Sequence, residues 1–303
     1  MSRIVVIGGI NMDLHLFGGR RPSSGATLLV DHYLTQPGGK GSNVARAAAR
    51  LGADVQLVGR VGDDEFGHRC VDAIRSDGVD VDTVSYSAVP TGFVAIELDE
   101  GRHRTLVFVP GANDELEWSA VEPVVRSVAP SDLVVAQAEI PPCVLFRLAG
   151  LAASGAIRLF LDPAPPERVD AAMLRAAEVI TPDRAEAAAL TGRFDASEIW
   201  PAIAAVELRE AGARTVVVKT GATGAVLADE HGVEVVPTLA IEPRDETGAG
   251  DVFIAALAVR HAEGADWKES VRFANAASAL SVADDGLLLP DRRTVESAMG
   301  ELA

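Results

Sequence analysis

Short β-branched runs alternate with alanine-rich helical patterns along most of this chain, and that alternation limits the folds open to it. Residues 4–7 form a first strand, closed by Gly8-Gly9. The segment 42–51 is rich in alanine and stops at Gly52, as a helix with a C-terminal glycine does. A second strand follows at 55–58, and Asp63 opens a helix that runs to about 77 and stops at Gly78. Further strands are predicted at 132–136, 157–161, 177–180 and 214–219, with helices at 142–154, 184–190 and 197–211. The C-terminal third is helical, at 251–263, 267–283 and 292–302. Strands that are apolar throughout, each followed by a helix, predict an α/β fold: a mainly parallel central sheet with helices on both faces.

Two stretches break the rhythm. Residues 12–36 carry Leu14, Leu16, Leu28, Val30 and Tyr33 in loose alternation, without a helical period. Residues 91–110 contain two apolar runs separated by Asp99-Glu100-Gly101, the pattern of a hairpin. These insertions are expected to supply four short strands of a second, smaller β-sheet, placed to act as a lid or as a dimer surface. The 303 residues are otherwise read as a single α/β domain.

A formal charge of −17 argues against nucleic acid as a partner, because a phosphate backbone is repelled. No apolar run approaches a membrane span, and none has the form of a signal peptide. Cys70 and Cys143 have no metal-ligand spacing and are expected to be reduced core residues of a cytoplasmic protein. Lysine is used sparingly: of 27 basic residues only Lys40, Lys219 and Lys268 are lysines, and the first two stand in glycine-rich turns.

The segment Arg244-Asp245-Glu246-Thr247-Gly248-Ala249-Gly250-Asp251 carries the strongest chemical signal. Its glycines let the backbone turn sharply into a helix, where unpaired amides and the helix dipole favour an anion. A carboxylate at Asp251 suits a base that takes a proton from an alcohol attacking a phosphoryl group. Alone, the segment is read equally well as an ordinary cap, with Thr247 or Asp251 satisfying amides. Gly8-Gly9-Ile10-Asn11-Met12-Asp13 places an amide and a carboxylate beyond the first strand, where open α/β sheets bind ligands; an Asx-turn is the plainer alternative. Pro37-Gly38-Gly39-Lys40-Gly41-Ser42-Asn43 precedes a helix, with close backbone approach to a ligand set against a simple Ser42 cap. Neither glycine motif has the spacing of a dinucleotide fingerprint or of a P-loop.

Together and in this order the motifs resemble the ribokinase-like, or phosphofructokinase B, family of carbohydrate kinases, and within it the ribokinase branch. One signature resembles Gly38 through Asn43 and Gly59 through Gly67, and the other resembles Asp245 through Asp251. Pro110-Gly111-Ala112-Asn113, Gln137-Ala138-Glu139, Leu161-Asp162-Pro163-Ala164-Pro165 and Thr181-Pro182-Asp183-Arg184-Ala185-Glu186 also resemble branch segments. The resemblance implies a three-layer fold with a β-sheet lid that often pairs two subunits. It implies Asp251 as the base, with the amides of Gly248, Ala249 and Gly250 stabilising the transferring phosphoryl group. Asn11, Asp13, Gly39, Lys40, Asn43 and Glu139 match sugar-holding positions. Asp183, Lys219, Gly221 and Gly224 fall where the nucleotide phosphates bind, and Asn275 falls near the adenine. Glu186 matches the residue that organises Mg2+, while Asp245 and Thr247 belong to a loop that binds K+ in ribokinases.

The implied activity is transfer of the γ-phosphate of ATP to a primary hydroxyl, with D-ribose the first expectation. Fructose, 2-keto-3-deoxygluconate, fructose phosphates and nucleosides are the alternatives within the family. A catalytically silent sugar- or nucleotide-binding protein is the alternative of a different class, and an NAD-dependent oxidoreductase fits the sheet but not the glycine spacing. Two departures matter. Asp183 stands where the branch has asparagine and Lys219 where it has threonine, so Lys219 is expected to offset Asp183. Asp284-Asp285 replaces a basic pair beside the K+ loop, which leaves potassium activation open. Arg102 and Arg104, on the hairpin, are the arginines placed to meet a phosphorylated sugar, with solvated turn residues the plainer reading.

Overall fold

In the computed structural model, residues 2–18, 27–98, 104–193, 197, 200–283 and 287–300 are described. The chain opens with β1 (Arg3–Ile7), β2 (Asn11–Phe17), β3 (His32–Gly38), α1 (Lys40–Arg50), β4 (Asp54–Gly62) and α2 (Glu65–Ser76). It continues through β5 (Val84–Ser87), β6 (Gly92–Leu98), β7 (Arg104–Val109), α3 (Trp118–Arg126), β8 (Leu133–Gln137) and α4 (Pro142–Ala153). Next come β9 (Leu159–Asp162), α5 (Ala171–Ala176), β10 (Val179–Ile180), α6 (Arg184–Thr191), α7 (Trp200–Glu210) and β11 (Val216–Lys219). The chain ends with β12 (Ala225–Asp229), β13 (Gly232–Val236), α8 (Ala249–Ala262), α9 (Trp267–Ser281) and α10 (Arg292–Gly300).

The main sheet runs β13-β12-β11-β10-β9-β8-β1-β4-β5. From β11 to β5 every neighbour is parallel, and β12 and β13 close one edge as an antiparallel hairpin. The fully apolar first strand follows from burial on both faces: Ile4 and Val6 point into one core, Val5 and Ile7 into the other. The first core is covered by α1, α2, α8, α9 and α10, the second by α3, α4, α5, α6 and α7. Helix α8 is buried along Asp251 to Val259, as its unbroken apolar run requires.

The predicted strands and helices are present, with ends shifted by at most four residues, the largest shift being at the end of β4. Not foreseen were β5, α3, α5 and the β12–β13 hairpin. Each is short, and Val233 and Val235 face solvent on an edge strand, so they lack the buried-strand pattern. The second sheet has the order β3-β2-β6-β7, with the β6–β7 pair antiparallel as the hairpin pattern predicted. The hairpin tip 99–103, the segment 19–26 and residues 284–286, which include Arg102, Asp284 and Asp285, lie outside the described residues. Cys70 is buried as expected, but Cys143 is exposed near the start of α4 and is not a core residue.

The N-terminus of α1 lies against the end of β1, where a side chain has no room. A Cβ on Gly41 would lie 2.4 Å from the carbonyl carbon of Gly8 and 2.6 Å from its Cα. Backbone cannot yield as a flexible side chain does, so Gly41→Ala is expected to lower folding stability by about 2–3 kcal/mol despite the better helix former. Gly150, within α4, would meet nothing within 4 Å. Gly150→Ala is therefore expected to raise stability by about 0.5–1 kcal/mol, with both variants read by urea titration against the parent chain.

Candidate active site

Parallel strands bring their C-terminal ends to one edge of the sheet. Strand order reverses between β1 and β8, since β1 is followed by β4 on one side and β8 by β9 on the other, and ligands of open α/β sheets bind at such a switch point. A cleft of about 590 Å³ opens there, walled on one side by Val94, Ile96, Leu106 and Phe108 of the small sheet. Every site residue predicted from sequence borders this cleft except Asp245, which is buried beside it.

Two helices aim their N-termini into the cleft. At α1, Gly39 has φ +90°, and a Cβ there would lie 2.6 Å from the Asn11 nitrogen and 2.7 Å from the Gly9 oxygen. No side chain caps this helix, so Ser42 is not its cap. The Lys40 amide instead donates to Glu139 Oε2 at 3.0 Å. At α8, Gly248 is the N-cap in the left-handed conformation with φ +74°, and again no side chain caps the helix. The capping reading of Thr247 and Asp251 therefore fails. Asp245 Oδ1 accepts from the Thr247 amide at 2.8 Å and shapes the turn. Of the three amides expected to meet a phosphoryl group, that of Ala249 already donates to the Glu246 carbonyl at 3.2 Å.

Asp251 lies in the first turn of α8, buried, and accepts from Asn43 Nδ2 at 2.8 Å through Oδ2. Its Oδ1 has no hydrogen-bond partner and lies 3.7 Å from Lys40 Nζ. Burial raises the Asp251 carboxyl above its usual range, with Lys40 and Asn43 pulling the other way. Asp13 is raised well above that range by burial, with Glu139 and Asp251 adding to the effect. Burial also works against the charge on Lys40, yet Asp251, Asp162, Glu186 and Glu139 outweigh it and hold the ammonium charged.

The Asn11 side chain donates to Glu139 Oε2 at 3.2 Å and accepts from Asn113 Nδ2 at 2.7 Å. Asn11 and Asp13 both belong to β2, so neither forms an Asx-turn leaving β1. Asn113, to which sequence reasoning gave no role, is the hub here. It bonds the backbone of Ile10 through both side-chain ends and donates to the Pro110 carbonyl at 2.9 Å. Its presence in a recognised motif was the available signal.

At the other end of the cleft, Asp183 and Glu186 form a reciprocal capping box on α6. Lys219 takes Asp162, not Asp183, as its direct partner, and Asp183 adds only a smaller charge effect at the ammonium. Lys219 Nζ donates to Asp162 Oδ2 at 3.2 Å and lies 4.0 Å from Glu186, while Asp183 spends its carboxylate on the Glu186 amide. The backbone of Asp183 and Lys219 meets only as a parallel bridge. Gly224 has φ +99°, and a Cβ there would lie 2.1 Å from the Val236 carbonyl. Asn275 borders the cleft, but its amide nitrogen donates to the Val236 and Pro237 carbonyls at 2.8 and 3.2 Å. It fastens α9 to the end of β13.

Buried carboxylates, two ammonium groups and the uncapped N-terminus of α8 in one cleft suit an anion and a polyhydroxy acceptor. The chain belongs to the pfkB family of carbohydrate kinases, which matches residues 1–292, and it is an ATP-dependent carbohydrate kinase by that membership. It is 35% identical to the ribokinase of Bacillus subtilis over 305 residues, covering 99% of this chain and 100% of the relative. The ribokinase of Lactococcus lactis is 30% identical over 305 residues, 100% and 98% of the two chains. The structure of Arabidopsis thaliana ribokinase complexed with ribose and ATP superimposes with a TM-score of 0.86, at 28% identity and 99% coverage of both chains. No helix among the described residues is long and apolar enough to cross a membrane.

Burial pushes the Glu139 carboxyl up to about 7, against 4.5 in the unfolded chain, with Lys40 and Asn11 opposing the rise. The folded protein then holds more protons than the unfolded one between those values. The associated stability is complete below pH 4.5 and is lost as pH rises through about 7. Glu139→Gln is expected to raise the melting temperature by about 3 °C at pH 8 and by less than about 1 °C at pH 5.

Proposed function

We propose that this protein transfers the γ-phosphate of MgATP to the primary 5-hydroxyl of D-ribose. The observation that carries the reading is Asp251: a buried carboxylate in the cleft wall with one oxygen fixed by Asn43 and the other left without a hydrogen-bond partner. The unpartnered Oδ1 accepts the proton of the sugar hydroxyl as that hydroxyl attacks, and burial keeps the carboxyl basic enough to do so. Asn11, Asp13, Asn43 and Glu139 bind the other hydroxyls, and Lys40 balances the carboxylates around them. The helix end at Gly248, Ala249, Gly250 and Asp251 receives the phosphoryl group, whose charge needs orientation and electrostatic support more than covalent help.

The nucleotide lies toward Asp183, Lys219, Gly221, Gly224 and Asn275, with its base against Leu239, Ala279 and Val282 of the cleft wall. Magnesium fits this end. Burial, with Asp162 and Asp183 adding, raises the Glu186 carboxyl above its usual range, a strain that a cation relieves. No three metal-ligating side chains converge among the described residues, which suits an ion held mainly by phosphates and water. Glu186 is the residue that holds it, and the ion supplies neutralisation of the phosphate charge. For potassium, Asp245 and Thr247, in the turn that leads into α8, are the ligands we propose.

Asp13, Glu139 and Asp251 line the sugar end, with Lys40 as the one cation beside them among the described residues. That end offers partners for hydroxyls rather than a cationic pocket for an acid sugar or a sugar phosphate, which supports a neutral acceptor. The small sheet is read as a lid over the sugar. Its strand β7 alternates Leu106 and Phe108 toward the cleft with the exposed Val107 and Val109, an apolar face suited to pairing two subunits as a homodimer. The cytoplasm is the expected location. Coupled ADP release with MgATP, tested on ribose, fructose, 2-keto-3-deoxygluconate, fructose phosphates and nucleosides with and without potassium, is expected to depend on ribose. Asp251→Asn is expected to lower kcat by about 10²–10⁴-fold while ATP affinity, read by calorimetry, stays within about twofold. ATP binding without turnover on any acceptor would return the reading to a silent binding protein.

A further inference from the structure

The reaction outlined above gives no role to Asp162. This residue ends β9 with no solvent exposure, and its Oδ1 has no hydrogen-bond partner. Its Oδ2 accepts from Lys219, which ends β11 with 13% of its side chain exposed to the cleft. A buried ion pair seldom stabilises a fold more than apolar residues of the same volume. A pair kept at the ligand-binding edge of the sheet therefore calls for a reason other than stability.

Its position supplies one. A Cβ on Gly250 would lie 3.1 Å from Lys219 Nζ, so the ammonium sits over the second residue of α8. One residue on, Asp251 Oδ1 lies 3.7 Å from Lys40 Nζ. The N-terminus of α8 thus carries an ammonium on each flank, Lys40 on the sugar side and Lys219 on the nucleotide side. Burial opposes the charge on Lys219, and Asp162 and Glu186 outweigh it, so the group stays an ammonium. Three N–H donors are available to it. One is given to Asp162, and Glu186 at 4.0 Å lies beyond hydrogen-bond reach.

We propose that Lys219 is a catalytic residue whose ammonium contacts the transferring phosphoryl group at the N-terminus of α8, and that Asp162 is the positioning residue that aims it. The inference rests on the kinase reading. In the transfer, the bond from the γ-phosphorus to the bridging oxygen of ADP breaks and the bond to the sugar oxygen forms. The hydroxyl proton passes to Asp251. Lys219 keeps its proton throughout and supplies charge to the phosphoryl oxygens, retaining one hydrogen bond to Asp162.

The test compares AMP, ADP and a non-hydrolysable ATP analogue by calorimetry with magnesium, alongside kcat and KM. Lys219→Met is expected to weaken the ATP analogue by about tenfold and AMP by less than about twofold. It is expected to lower kcat by roughly 10²-fold with KM for the sugar unchanged. Asp162→Asn removes a carboxylate that repels phosphate but leaves the ammonium unaimed. Its analogue affinity should hold within about threefold while kcat falls about tenfold, a split that a merely structural role does not produce. Should Lys219→Met prevent folding by leaving the buried Asp162 carboxylate unpaired, the double variant D162N/K219M removes both charges and is expected to keep the selective loss. Equal losses for AMP and the ATP analogue, or recovery of analogue affinity in the double variant, would overturn the proposal. A wild-type protein that phosphorylates no sugar would instead remove the kinase reading, while the selective loss would still mark Lys219 as a ligand of the terminal phosphate.

Discussion

Gly41 of α1 rests against the backbone of Gly8 so closely that neither position accepts a side chain. The rest of the cleft is built on that contact. It brings the Ser42 amide to the Gly9 carbonyl at 3.1 Å and the Lys40 amide to Glu139, so the helix end is tied to two strands at once. One turn on, Asn43 reaches Asp251 on α8, a residue 208 positions away in sequence. Sugar-side and phosphate-side groups therefore share one rigid frame made of two helix ends and a sheet edge. Fixing polar groups before the ligand arrives is what allows a site to favour a transition state over water.

Much of this frame is legible in the sequence, for reasons that are local. A strand buried on both faces must be apolar throughout, and a helix end that receives an anion must be free of bulky side chains, so residues 4–7 and 245–251 announce themselves. Glycines that are required by backbone contact, as at Gly39, or by a left-handed turn, as at Gly248, stand out for the same reason. What sequence does not carry is the choice of partner across the fold. Lys219 and Asp183 are joined by a backbone bridge, which makes their side chains seem natural partners. Yet the strand between β9 and β11 ends at Ile180, and beyond it Lys219 turns to Asp162. Asn113 was equally hidden, because its worth lies in bonds to Ile10 and Asn11, some hundred residues earlier.

The charge distribution separates surface from site. The chain carries a net −17, and its lysines are few, yet two of the three stand on the cleft. The third, Lys268, is exposed and paired with Glu234. Arginine does the surface pairing, with Arg46 on Asp77 and Arg158 on Glu178 as examples. A compact point charge that carries three rotatable donors suits a cleft where oxygens change place. A planar guanidinium suits fixed carboxylates.

The small sheet is not an attachment laid over a finished site. Its strand β2 begins at Asn11 and carries Asp13, and its strand β6 begins at Gly92, where a Cβ would lie 2.2 Å from both Asn11 Oδ1 and Asn113 Nδ2. The ribbon that rises from the cleft is therefore rooted in the same side chains proposed to hold the sugar, with Asn113 as the rivet at its foot. If the small sheet acts as the lid proposed for it, a tilt of that ribbon about its root would change the grip on the acceptor directly, with no intervening linkage. Holding the sugar and moving its cover would then share one foot, at Asn11 and Asn113.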